Sequence, residues 1–237
     1  MSQAAKASDP NRTRENLEPK ELPAGAFITF EGGEGSGKST QARRLAERLR
    51  ADGRDVLQTR EPGGSPFAER VRGLILDPET PPHHALAETL LFYAARADHW
   101  AARIAPALAR GAWVVCDRFS DSTRVYQGYA GGLDLGLFDT LETAILASAG
   151  PSLTFVIDIA PEIGLARARA RRTAHGQGAS DAYEARELAF HERVRAGYLD
   201  IARREPGRCA VIDGAAAEDE TAGAVWDALS ARLGGGV

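Results

Sequence analysis

Lysine is almost absent from this chain. Only Lys6, Lys20 and Lys38 occur among 237 residues, and beyond the N-terminal stretch every basic residue except Lys38 is arginine. A guanine-specific nucleotide switch usually carries an Asn/Thr-Lys-x-Asp element. No lysine follows Lys38, which argues against that class. Cysteine is scarce as well. Cys116 and Cys209 each stand alone in an apolar run, so they read as buried thiols rather than a disulfide or a metal pair. No apolar run approaches the length needed to cross a membrane. The N-terminus has no apolar signal core, which leads us to expect a cytoplasmic protein. Excess positive charge is missing too. A net charge of −4 and a pI near 5.8 argue against a protein dedicated to nucleic acid or an anionic membrane. There is no internal repeat.

What is present is enough apolar residue, 43%, for one well-packed domain at this length. Residues 1–24 are polar, charged and aperiodic and read as a disordered tail. Residues 25–237 read as a single domain. Five short apolar runs read as strands: Phe27–Glu31, Asp55–Arg60, Trp113–Asp117, Leu153–Asp158 and Cys209–Asp213. Between them, helical patterns cover 41–50, Pro66–Leu76, 85–97 continuing to 110, 138–149, 163–172, 182–204 and 221–233. Strands that are apolar throughout and alternate with helices imply an α/β fold, a five-stranded parallel sheet with helices on both faces. In such folds ligands sit beyond the carboxyl ends of the strands. The marked clusters of this chain all follow strands, so a shared site on one rim is the economical reading.

The stretch after the first strand is the most informative. Gly32, Gly37, Lys38 and Ser39 have the spacing of a P-loop, between a strand and a helix. The glycines let backbone N–H groups turn inward around phosphate oxygens, and the helix N-terminus adds partial positive charge. Gly32, Gly33, Glu34, Gly35, Ser36, Gly37, Lys38, Ser39 and Thr40 are therefore candidate ATP-binding residues. Lys38 would reach the outer phosphates and the Ser39 hydroxyl would ligand Mg²⁺. An arginine-biased chain that keeps lysine here is consistent with a need for a compact ammonium charge. Phosphoryl transfer is largely positioning and charge neutralisation. A phosphorylated acceptor would require further cations, and Arg60, Arg96, Arg118 and the row Arg167, Arg169, Arg171, Arg172 supply them. Arg118 has the strongest claim, because it directly follows a buried strand ending in Asp117.

Four motifs occur in order across most of the chain. They are the P-loop with Glu34 at its centre, Arg60-Glu61-Pro62-Gly63-Gly64, the run from Leu90 to Arg96, and Asp117-Arg118-Phe119 followed by the segment from Ser122 to Gly128. Together they resemble the thymidylate kinase family, whose members pass a phosphate from ATP to dTMP. The resemblance implies a nucleoside monophosphate kinase-like fold with a small mobile lid, here about residues 167–184. It implies the strand order second, third, first, fourth, fifth, and a homodimer packed through helices of the body. It assigns dTMP binding to Glu34, Arg60, Phe92, Arg96, Arg118, Thr123, Tyr126 and Gln127. Phe92 would stack on the pyrimidine, Arg96 would donate to O4, Thr123 would meet the N3 side and Arg118 would bind the acceptor phosphate. Glu34 would face the sugar 3′-hydroxyl and Tyr126 would crowd the 2′ position. A related pyrimidine monophosphate remains an alternative acceptor. Asp117 is an outer partner for Mg²⁺.

The family places a catalytic arginine in the P-loop or in the lid. This P-loop has none, so the chain is similar to the bacterial class with a basic lid. Where the family often has Asp-Arg before an aromatic or aliphatic residue and Glu, this chain has Asp181-Ala182-Tyr183-Glu184. Arg171 and Arg172 are the substitutes, alongside Lys38, Glu34 and Arg118 as catalytic candidates, with Arg167 placed at ATP. The segment 173–181 is expected to be mobile until both nucleotides bind.

Overall fold

The computed structural model describes residues 25–147, 149–174 and 186–234. Its centre is a parallel sheet of five strands: β1 (Phe27–Glu31), β2 (Val56–Arg60), β3 (Trp113–Asp117), β4 (Leu153–Asp158) and β5 (Cys209–Asp213). The order is β2-β3-β1-β4-β5, as the resemblance implies. β1 lies between β3 and β4, with Phe27 opposite Val114 and Ile28 opposite Leu153. Every β1 residue is buried, which is why the strand reads as an unbroken apolar run.

Successive side chains point to opposite faces of a strand, and two cores result. On one face Ile28, Phe30, Val115, Phe155 and Ile157 pack against α1 (Lys38–Ala51) and α9 (Glu218–Leu233) through Leu45, Leu49, Val225 and Leu229. On the other, Phe27, Val114 and Cys116 meet Ile104 and Phe119. Val156 and Cys209 there meet Val194, Tyr198 and Ile201 of α8 (Leu188–Arg204). Both cysteines are buried and free, in strands that are not neighbours.

α2 (Pro66–Leu76) starts where Ser65 accepts the Ala68 N–H and Pro66 occupies the first turn, as helix-start chemistry predicts. It packs against α3 (Ala85–His99), which continues through a π-helical turn (Trp100–Ile104) into α4 (Ala105–Ala109). α5 (Ser120–Thr123) runs into a second π-helical turn (Arg124–Tyr129), followed by α6 (Leu135–Leu146) and, after β4, α7 (Pro161–Ala174).

Several expected boundaries are corrected. α1 begins at Lys38 rather than 41, because the P-loop lysine already occupies the first turn. α6 lies three residues earlier at each end than the expected 138–149. α8 begins at Leu188 instead of 182, since Arg186 and Glu187 are not helical. The expected tail (1–24) and the loop part of the expected lid (175–184) lie outside the described residues.

Candidate active site

The P-loop turns on glycines in conformations that residues with a side chain rarely adopt: Gly32 at φ 142°, Gly35 at 63° and Gly37 at 95°. Gly37 immediately precedes α1, so the first N–H groups of that helix face the loop's interior. Lys38 is buried and donates from Nζ to the Gly33 carbonyl at 3.0 Å. Burial and then the nearby Arg118 lower its pKa, against the pull of Glu34 and Asp117. An ammonium folded back on its own loop and partly repelled is a cation poised for a phosphate.

Beyond β3 the chain turns sharply. Arg118 holds φ at 67°, a left-handed conformation that costs a non-glycine residue roughly 1–2 kcal/mol. The turn is held from several sides. The Arg118 N–H donates to Phe30 O at 2.9 Å, and the Phe119 N–H donates to Glu31 Oε1 at 2.7 Å. Ser122 Oγ donates to Glu31 Oε2 at 2.5 Å. Burial and the neighbouring Asp121 raise the Glu31 pKa, against these hydrogen bonds.

This turn aims the Arg118 guanidinium back across the P-loop. Its Nη1 donates to Gly32 O, Ser122 Oγ and Tyr198 Oη, each at 3.1 Å, and its Nη2 donates to Glu34 Oε1 at 2.5 Å. Tyr126 Oη donates to the same Glu34 oxygen at 3.0 Å. Burial opposes ionisation of Glu34, but Lys38 and Arg118 outweigh it and hold the carboxyl at about 2. Glu34 is therefore a fixed anion between two cations.

These groups border one cavity of about 230 Å³ at the carboxyl ends of β1, β2 and β3. Its walls include Glu34, Gly35, Gly37, Lys38, Ser39 and Thr40 from the P-loop and Asp117, Arg118, Thr123, Tyr126 and Gln127 from the segment after β3. Arg60, Phe92, Arg96 and Arg171 complete it. Arg60 also donates to both Glu69 oxygens at 3.0 Å.

Some expected residues stand apart. Gly32 and Gly33 border a smaller hollow behind the P-loop. Ser36, Arg167 and Arg172 do not line the main cavity. Arg167 instead donates from Nη1 to the Gly214 carbonyl at 2.7 Å, which ties α7 to the loop after β5.

Sequence reasoning gave no role to three residues that the structure brings here. Arg72 lines the cavity and donates to Pro62 O at 2.7 Å. Burial, then Arg60, lower its pKa. Glu61 and Ser122 also line the cavity. Arg72 carried no readable signal, because an arginine on an amphipathic helix normally points to water. Glu61 and Ser122 sit inside recognisable motifs, which was the available clue. Among the described residues no group of three or more His, Cys, Asp or Glu forms a metal cage.

Comparison with known proteins agrees with this geometry. The thymidylate kinase family model matches residues 30–224. The chain belongs to the thymidylate kinase family. Members phosphorylate dTMP to dTDP, and the chain is a phosphotransferase of that kind. It is 53% identical over 213 residues to a thymidylate kinase of Caulobacter vibrioides, covering 90% of this chain and all of that one. It is 52% identical over 208 residues to one from Nitrobacter winogradskyi, covering 88% and 89%. The fold matches a crystal structure of thymidylate kinase from Ehrlichia chaffeensis with a TM-score of 0.69 and 36% identity, over 87% of this chain and 99% of that one. No helix among the described residues is long and apolar enough to cross a membrane.

Proposed function

We propose that this thymidylate kinase transfers a phosphoryl group from ATP to dTMP with the following division of labour. The observation that carries it is the cavity itself, lined together by the P-loop cation Lys38, the Arg118–Glu34 pair and the Phe92 and Arg96 side chains. Gly32 to Thr40 cradle the donor phosphates, and Lys38 leaves the Gly33 carbonyl to meet them. Arg118, with Arg60 and Arg72 along the same wall, receives the acceptor phosphate. Phe92 stacks on the base, Arg96 and Thr123 read its edge, and Tyr126 with Gln127 bounds the sugar. Glu34 faces the sugar 3′-hydroxyl while holding Arg118. Arg171 supplies positive charge to the transferring group, and closure of the end of α7 over both nucleotides excludes water.

The residues fit a magnesium ion. Ser39 lies at the cavity, and Asp117 Oδ1 is buried there with no hydrogen-bond partner. A site without a protein cage suits Mg²⁺, which keeps waters and substrate phosphates as most of its ligands. When bound, the ion supplies charge neutralisation on the donor phosphates.

An apolar strip supports a homodimer. Phe67 and Leu74 on α2, with Leu86 and Leu90 on the adjoining α3, are all exposed. We place the enzyme in the cytoplasm on its composition.

A coupled assay for ADP tests the reading. Turnover is expected with dTMP and Mg²⁺, much less with dUMP, and little with UMP or AMP. Excess chelator should abolish it. Turnover undiminished by chelator, or equal with AMP, would overturn the assignment.

A further inference from the structure

The Arg96 proposed above to read the base is half of a buried ion pair whose carboxylate, Glu61, has no role above. Arg96 is 2% exposed and the Glu61 side chain 4%. Arg96 Nε donates to Glu61 Oε2 at 2.8 Å, and Nη2 donates to Thr123 Oγ1 at 2.9 Å. The guanidinium carbon lies 4.7 Å from the centre of the Tyr93 ring and 5.1 Å from the centre of the Phe119 ring. Two hydrogen bonds and two ring contacts thus hold the guanidinium. Only Nη1 remains, buried and without a hydrogen-bond partner.

Glu61 is itself held. Its N–H donates to Asp117 O at 3.0 Å, extending the β2–β3 ladder by one bond. Its second oxygen accepts from His99 Nδ1 at 3.0 Å, and His99 Nε2 meets Thr59 Oγ1 at 2.8 Å. Both carboxylate oxygens are thus engaged with protein, one of them by Arg96.

We infer that Glu61 is the positioning residue that makes Arg96 a reader of the base: it ties down Nε and supplies the counter-charge, so that Nη1 alone is presented to an acceptor on the pyrimidine. This rests on the base-reading role proposed for Arg96. A buried donor with no protein partner rewards a ligand that offers an acceptor and penalises one that offers a donor. Thymine carries a carbonyl at its 4-position and cytosine carries an amino group. Glu61 therefore sets the preference for dTMP over dCMP without touching either.

The test compares Glu61→Gln, Arg96→Met and the double variant by steady-state kinetics on dTMP and dCMP. Glutamine keeps the shape of Glu61 and removes its charge. Losing a charge-assisted hydrogen bond predicts a rise in KM for dTMP of about 10- to 100-fold, falling on KM rather than on kcat. The dTMP-to-dCMP preference should shrink by about 10-fold or more on the same basis. In the Arg96→Met background, Glu61→Gln should alter neither quantity, because no cation is left to position. The double variant removes both charges together and avoids a buried unpaired one. Glu61→Asp keeps the charge at shorter reach, so it preserves the fold and should show the same pattern at smaller size. An equal effect of Glu61→Gln with and without Arg96 overturns the inference and makes Glu61 merely structural. A preference unchanged in Glu61→Gln but erased in Arg96→Met dismisses Glu61 alone. A preference intact in Arg96→Met removes the base-reading role on which the inference stands.

Discussion

Replacing Glu34 by glutamine should weaken the unliganded fold by an amount that depends on pH in a calculable way. Glutamine stands in for the protonated acid, with the same shape and no charge. In the folded protein the carboxyl is held at about 2, against an ordinary value of 4.5. That difference corresponds to about 3 kcal/mol of stability at neutral pH. The folded pKa lies below the unfolded one, so the contribution is fully present above about pH 4.5 and is lost as the pH falls towards about 2. At pH 3.5 it should have declined to about 2 kcal/mol. Urea denaturation of both proteins at pH 7 and pH 3.5, with slopes compared, measures the gap directly. Part of the total is separable. Tyr126→Phe removes the hydroxyl that donates to Glu34 at 3.0 Å and accepts from Arg118 at 3.3 Å, which should cost about 1 kcal/mol. Most of the remainder belongs to Lys38 and Arg118, with His191 a smaller contributor. A Glu34→Gln protein as stable as the parent at pH 7, or a gap that stays constant between the two pH values, would refute the claim that this carboxylate is a fixed anion between cations.

Phe92→Ala should weaken dTMP binding by roughly 1–3 kcal/mol, the worth of one aromatic stacking contact; calorimetry showing unchanged affinity would make Phe92 purely a packing partner of α2. An Arg171→Ala, Arg172→Ala double variant should lose about 10³-fold in turnover or more if it acts as an arginine finger does. Arg171 should account for most of that, since it alone of the two borders the cavity. Leu90→Glu, placed in the exposed apolar strip of α2 and α3, should convert a dimer to a monomer in sedimentation, and a wild-type monomer at micromolar concentration would remove the dimer altogether.

The three central strands were legible because burial on both faces leaves no alternation to misread, and the run from Trp113 to Asp117 is an example. The P-loop was legible because spacing, strand and helix coincide. The strand order was not readable from periodicity; it came from the family resemblance. The segment from Ser120 to Tyr129 was read only as a motif, yet it is helical throughout. Its serine, threonine, glycine and tyrosine residues have poor intrinsic helix propensity. It folds because Val125 and Tyr126 dock on Val194 and Tyr198 of α8, a contact between elements far apart in sequence. Glu61 and Arg72 escaped for a related reason. A charge inside a turn or on an amphipathic helix reads as solvated until the partner that buries it is known.

The same limit governs the placement of the catalytic cation. An ideal Cβ on Gly35 would lie 1.9 Å from the Gly164 carbonyl oxygen, and one on Gly164 would lie 2.2 Å from the Glu34 carbonyl oxygen. Backbone meets backbone where the P-loop touches the first turns of α7, so neither position has room for a side chain. A basic residue at position 35 is therefore excluded by packing, in addition to the cost of its φ of 63°. With position 35 closed and no arginine elsewhere in the loop, an arginine for the transferring phosphoryl group comes from outside it. α7 touches the P-loop at Gly164, in its first turn, and carries Arg171, near its end, to the cavity wall. The contact that denies the P-loop an arginine is also the one that anchors the helix able to deliver it. Two glycines separated by more than half the chain carry that relation, and nothing in the residues around either one announces it.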